Sequence, residues 1–231
     1  MGACLFIASG LAGAGTFTLY GTGFTGTGSL LPTGSRDGNW TLISDPGGSV
    51  STPDSPFVTQ GCTILNLHFP CGLTNAWTID TLGSQWISPQ TSYNKNADPA
   101  GTYIYEDTFN LTGFNDTLVD ITGKWSADNY GYIMVNGQEV TSGLSGQIAN
   151  QTGQFEHFTS FDLNALNTGF IPGMNTIEFV VVNNTNGSPD VTGVNIDIQS
   201  ATGYAPEPGS FVLMGFALSG LYLGAKRRKR R

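Results

Sequence analysis

The chain has 231 residues, 32 of them glycine, and only 11% are charged. That balance argues against a helical cytosolic enzyme and suits an exported β protein with many turns. Sixteen of the seventeen acidic residues precede Pro206, against Arg36, Lys95 and Lys124 as the basic residues there, so the cationic footprint needed to neutralise phosphates is missing and no nucleic-acid partner is expected.

Residues 1–14 are mostly small and apolar, and Ala12-Gly13-Ala14 fits the small-x-small pattern of signal-peptidase cleavage. No basic n-region accompanies them, so the segment reads as a degenerate or truncated signal peptide. A folded ectodomain is expected over residues 15–203, long enough for one all-β domain with a sizeable core. Short strands are expected at Thr16–Tyr20, Trp40–Ile43, Thr63–Phe69 and Ala76–Ile79, separated by Gly-, Ser- and Pro-rich loops. Of the three cysteines, Cys4 lies in the leader and Cys62 and Cys71 in the ectodomain. That pair can close a small disulfide loop in an oxidising compartment, stay as free thiols, or ligate a metal. A zinc site would need two further ligands, and only His68 and His157 are available.

The second half alternates more cleanly. Over Thr102–Leu111, the residues Tyr103, Tyr105, Phe109 and Leu111 share one face, which Asp107 interrupts. Thr117–Trp125 places Val119, Ile121, Gly123 and Trp125 together. Tyr130–Val135 runs through Asn136-Gly137 into Gln138-Glu139-Val140, a type I′ hairpin signal because both central residues need positive φ. Phe155–Leu163 and Thr176–Val182 read as strands. In Val191–Gln199, Val194, Ile196 and Ile198 are expected inward, with Asn195, Asp197 and Gln199 outward.

About eight to ten short strands, with no long helix before the tail, imply a β-sandwich. The segments Lys124–Asn129, Val135–Gly137 and Gly173–Asn183 together resemble a galactose-binding-like jelly roll over roughly residues 100–200. No nucleophile elbow, metalloprotease helix or phosphate-cradling glycine loop occurs, so no enzyme is expected and no catalytic residue is assigned. Glycan sites stack sugar rings on aromatics and fix hydroxyls with amides and carboxylates. Tyr93, Asp128, Asn129 and Tyr130, at expected loops or loop edges, are the candidate sugar-facing residues, whereas Trp40 and Trp125 are assigned to the core. The jelly-roll resemblance also implies a structural calcium, for which Asp98, Asp107 and Asp128 are the conceivable ligands. No calcium-loop motif accompanies them, and no metal ligand is assigned.

The last segment, residues 204–231, has three parts. Pro206-Glu207-Pro208 punctuates the end of the folded domain. The uncharged run from Gly209 to Ala225 would make a helix of about 25 Å, near the lower limit for crossing a bilayer. Lys226-Arg227-Arg228-Lys229-Arg230-Arg231 then stops transfer on the cytoplasmic side. This order resembles the PEP-CTERM sorting signal of Gram-negative bacteria. The resemblance implies an exosortase-type membrane protease as partner, an inner-membrane precursor held by one C-terminal transmembrane helix, and a destination at the cell surface or in the extracellular matrix among exopolysaccharide. Protein recovered from its native cell surface or medium is expected to have an intact mass that ends near Pro206–Gly209. A full-length C-terminus would make the tail a plain membrane anchor.

Overall fold

In the computed structural model, which describes residues 13–59, 77–91, 98–151, 153–184 and 191–205, the strands form two antiparallel sheets. In chain order these are β1 (Ala14–Thr16), β2 (Thr41–Ser44), β3 (Phe57–Val58), β4 (Ile87–Ser88), β5 (Gly101–Asn110) and β6 (Asn115–Asp128). There follow β7 (Tyr130–Val135), β8 (Gln138–Glu139), β9 (Thr159–Asn164), β10 (Met174–Asn183) and β11 (Gly193–Tyr204). One sheet runs β3-β4-β11-β6-β9, with β1 also paired to β11; the other runs β2-β5-β10-β7-β8.

Period-two alternation decides which side chains meet between the sheets. Tyr103, Tyr105, Phe109, Ile177, Phe179, Val181, Ile133 and Val135 face inward from the five-stranded sheet. Ile121, Trp125, Phe161, Leu163, Val194 and Ile196 face them from the other. The ring of Phe179 lies 5.0 Å from Trp125, 5.7 Å from Phe161 and 5.6 Å from Trp40, all edge-on. These are favourable aromatic geometries, and they join both sheets at one point. The Trp125 indole donates to Gly146 O at 2.6 Å, so its one polar group is satisfied within the core. Trp40 and Trp125 are fully buried, as their assignment to the core requires.

The Asn136-Gly137 hairpin forms between β7 and β8, with φ of 50° and 74° at its two central residues. Strands β5, β6, β7, β10 and β11 fall where alternation places them. Four local expectations need correction. The first strand covers Ala14–Thr16, where Ala14 pairs with Tyr204, and residues 17–22 are not a strand. Trp77–Asp80 is irregular, with only a bridge at Ile79. Gln154–Glu156 is a 3-10 turn, so β9 begins at Thr159. Asn195 and Asp197 do alternate away from the core, yet they are buried, because residues 20–23 and 77–86 pack over that face.

Cys62 and Cys71, Tyr93, the Thr63–Phe69 segment and the whole of residues 206–231 lie outside the described residues. Among the described residues no helix is long and apolar enough to cross a membrane. Phe179→Ala is expected to cost about 3–5 kcal/mol, because its cavity would open onto three rings. Exposed Leu166→Ala should change stability by less than about 0.5 kcal/mol. Urea denaturation of both variants checks the contrast.

Candidate functional site

β2 and β5 do not run the same length. Their pairing stops at Thr41 opposite Glu106. Before Thr41 the chain turns away, because the Asn39 N–H donates to Asp37 Oδ1 at 3.0 Å and its side-chain amide donates to Phe24 O at 2.6 Å. β5 continues to Asn110, paired with β10 as far as Met174. Residues 107–110 therefore carry β10 on one flank and, among the described residues, no strand on the other.

A cleft of about 350 Å³ opens along that flank. Thr18, Thr41 and Thr108 line it with hydroxyls, and Tyr20 and Asn39 add a phenol and an amide. Glu106 and Asp107 complete the wall with carboxylates. The lining is mostly polar, which suits a hydrated, hydroxyl-rich ligand better than an apolar one.

Asp107 occupies the inward row of β5, between Tyr105 and Phe109. Its Oδ1 accepts the Thr108 N–H at 2.6 Å, a donor that a neighbouring strand would otherwise take. Burial pushes its carboxyl up to about 7; the Thr108 N–H opposes this, and the charges of Asp37 and Glu106 add to it. Asp37 is fully buried beside the cleft and accepts the Gly23 N–H at 2.5 Å. Burial raises its carboxyl too, against the pull of the Gly23, Asn39 and Trp40 N–H groups. Glu178 stands opposite Glu106 across β10 and β5, and is raised first by burial and then by the Glu106 charge.

The residues expected to face sugar are placed differently. Asp128 is only 6% exposed; its Oδ2 accepts the Trp77 indole N–H at 2.8 Å and its Oδ1 the Asn129 amide at 2.8 Å. Asn129 Oδ1 accepts the Asn184 N–H at 2.6 Å. Both side chains thus bond the chain's own groups. Tyr130 begins β7 rather than a loop and is half-buried against the core. Of the conceivable calcium ligands, Asp98 and Asp128 are joined through Thr192, which donates its N–H to Asp98 Oδ2 at 3.2 Å and its hydroxyl to Asp128 O at 2.6 Å. Asp107 is separated from Asp98 by most of the length of β5. Among the described residues no group of three or more His, Cys, Asp or Glu could hold a metal ion. His157 is exposed after the 3-10 turn and does not line the cleft.

One signal in the sequence does point to the cleft, namely the charge that interrupts the aromatic face of Thr102–Leu111. Its companions Tyr20 and Asn39 arrive from irregular segments with no periodicity to mark them. No protein-family model matches the chain, and no curated protein or solved structure matches it either.

In an unfolded chain an aspartate ionises near pH 4, whereas folded Asp107 holds its proton to about 7. Between those values the folded state binds more protons, so this group makes stability fall as pH rises from about 4 to about 7 and adds no slope above that. Asp107→Asn is expected to match the parent at pH 4 and to exceed it by about 1 kcal/mol or more at pH 8. Denaturant titrations at the two values test this, and an unchanged pH profile would show that Asp107 titrates normally.

Proposed function

We propose that this chain is an exported, non-enzymatic surface or extracellular-matrix protein whose jelly-roll-like, galactose-binding-like sandwich binds polysaccharide in the cleft along β5. The observation that supports binding is the composition of that cleft. The hydroxyl-bearing Thr18, Thr41 and Thr108 and the carboxyl-bearing Glu106 and Asp107 line one space with Tyr20 and Asn39, whose hydroxyl and amide donate to Gly26 O and Phe24 O. Such groups match the alternating donors, acceptors and C–H faces of a sugar. The address rests on residues 206–231 alone. On that reading an exosortase-type protease processes an inner-membrane precursor at Pro206-Glu207-Pro208, and the domain passes to the surface among exopolysaccharide.

A second reading is a structural matrix or coat component with no small ligand. It is favoured by exposed Leu144 and Leu166, which line one surface hollow together. A glycan array probed with the full chain in detergent micelles separates the two. Under the first reading Thr41→Val and Thr108→Val each weaken glycan binding about fivefold to tenfold, the worth of one hydrogen bond, while Tyr130→Phe leaves it unchanged. Unchanged affinity in both threonine variants would remove the cleft as the site. Concentration-dependent assembly without any array signal would favour the coat.

A further inference from the structure

We infer that the β5 cleft selects amino sugars, polyols that carry a protonated amine, over neutral sugars, and that it releases a proton when it binds one. The inference rests on the cleft being a glycan site and adds which glycans it takes.

The cleft carries acidic groups with no cation beside them among the described residues. Glu106 and Asp107 form one wall of the cleft, and buried Asp37 lies beside it. Glu178 extends the row behind Glu106 on the neighbouring strand. The described cations are committed elsewhere. Arg36 pairs with Asp54 at 2.7 Å and lies 4.3 Å over the Phe57 ring. Lys124 stands 3.8 Å from Asp197 and 4.8 Å over the Phe158 ring. Among the described residues no cation lines the cleft. A neutral sugar seated there would strip water from Glu106, leave the Asp107 carboxyl protonated, and return only hydroxyl hydrogen bonds. An ammonium group returns an opposite charge and up to three donors.

Binding also moves a proton. The groups that face Asp107 are Glu106 on its own strand, Asp37 and Asn39 from the chain before β2, and Tyr20 from the chain after β1. Its partner on β10 is Ile177, which carries no charge. Burial first, and then the charges of Asp37 and Glu106, raise the Asp107 carboxyl to about 7 while the cleft is empty. An ammonium placed beside it favours the carboxylate. The carboxyl O–H bond then breaks, the electron pair stays on the oxygen, the proton passes to the buffer, and a carboxylate–ammonium pair remains. The amine keeps its own proton, so one proton leaves for each ligand bound.

The test is isothermal titration calorimetry of the full chain in micelles at about pH 6, in buffers of different ionisation enthalpy. The probes are a glucosamine oligosaccharide and its fully N-acetylated counterpart. The amino form is expected to bind at least about tenfold tighter, with between about half and one proton released. Asp107→Asn should abolish the proton release and most of the preference. Asp80→Asn should keep both. Asp80 is also raised to about 7 by burial, but it accepts the Trp86 N–H at 3.1 Å and does not line the cleft. Equal binding of both probes by the parent, with no proton released, would overturn the inference and leave the glycan site standing. Binding of neither would remove both. Proton release that survives Asp107→Asn would assign the titration to another group and overturn the mechanism.

Discussion

The ring of Phe179 is where the two sheets hold each other. Trp125 and Phe161 reach it from the six-stranded sheet, and Trp40 from the chain entering β2. All of these contacts require β10 to present its odd-numbered residues inward. A slip of one residue would turn every one of them to solvent, so the register is strongly specified. β5 pairs with β10 over its whole length, from Gly101 opposite Asn183 to Asn110 opposite Met174, and so inherits that phase. Tyr103, Tyr105 and Phe109 then go inward, and Asp107 must follow them. Its position is a consequence of the aromatic core and not a local choice.

An inward carboxylate would be costly in the middle of a closed sandwich. Here the cost is limited because β2 ends one residue short of it. Had β2 continued, its strand would have covered Asp107 and taken the Thr108 N–H. Instead the chain before Thr41 folds back onto Asp37, and Asp107 bonds the Thr108 N–H itself. The same truncation that relieves Asp107 leaves the hydroxyls of Thr18, Thr41 and Thr108 lining an open space. The cleft and the misplaced charge therefore have one origin, a difference in length between two neighbouring strands.

What could be read in the sequence was whatever repeats locally. Alternation located β5, β6, β7, β10 and β11, and Asn136-Gly137 announced its own turn through the left-handed φ it needs. Partners from distant, aperiodic segments could not be read. Asn195 and Asp197 point away from the core as their parity says, yet Thr22 and Gln85 seal that side. The Thr22 hydroxyl donates to Gln85 O at 2.6 Å and accepts the Ile196 N–H at 3.0 Å. Asp128 looked like an exposed loop acid until Trp77, far earlier in the chain and stacked 4.2 Å from Trp86, took its oxygen. For the cleft only Asp107 was visible, as an exception to a pattern. Tyr20 and Asn39 sit in stretches of Gly, Thr and Asn that carry no phase.

The comparison of Asp80 with Asp107 shows what separates a perturbed carboxyl from a usable one. Burial raises both to about 7. Asp80 accepts the Trp86 N–H and is approached by the Asn195 amide at 3.4 Å, within the segment that covers β11, so its proton answers to the fold alone. Asp107 lines the cleft, where a ligand would change its surroundings. The acidity of the chain before Pro206 does not make this distinction. At physiological ionic strength charges more than about 8 Å away are largely screened, so the many distant acids tune solubility and encounter. At Asp107 the decisive influences are local: its own burial first, then the charges of Asp37 and Glu106. The place of Asp107 on the cleft is thus a property of register, and register is fixed by the rings around Phe179.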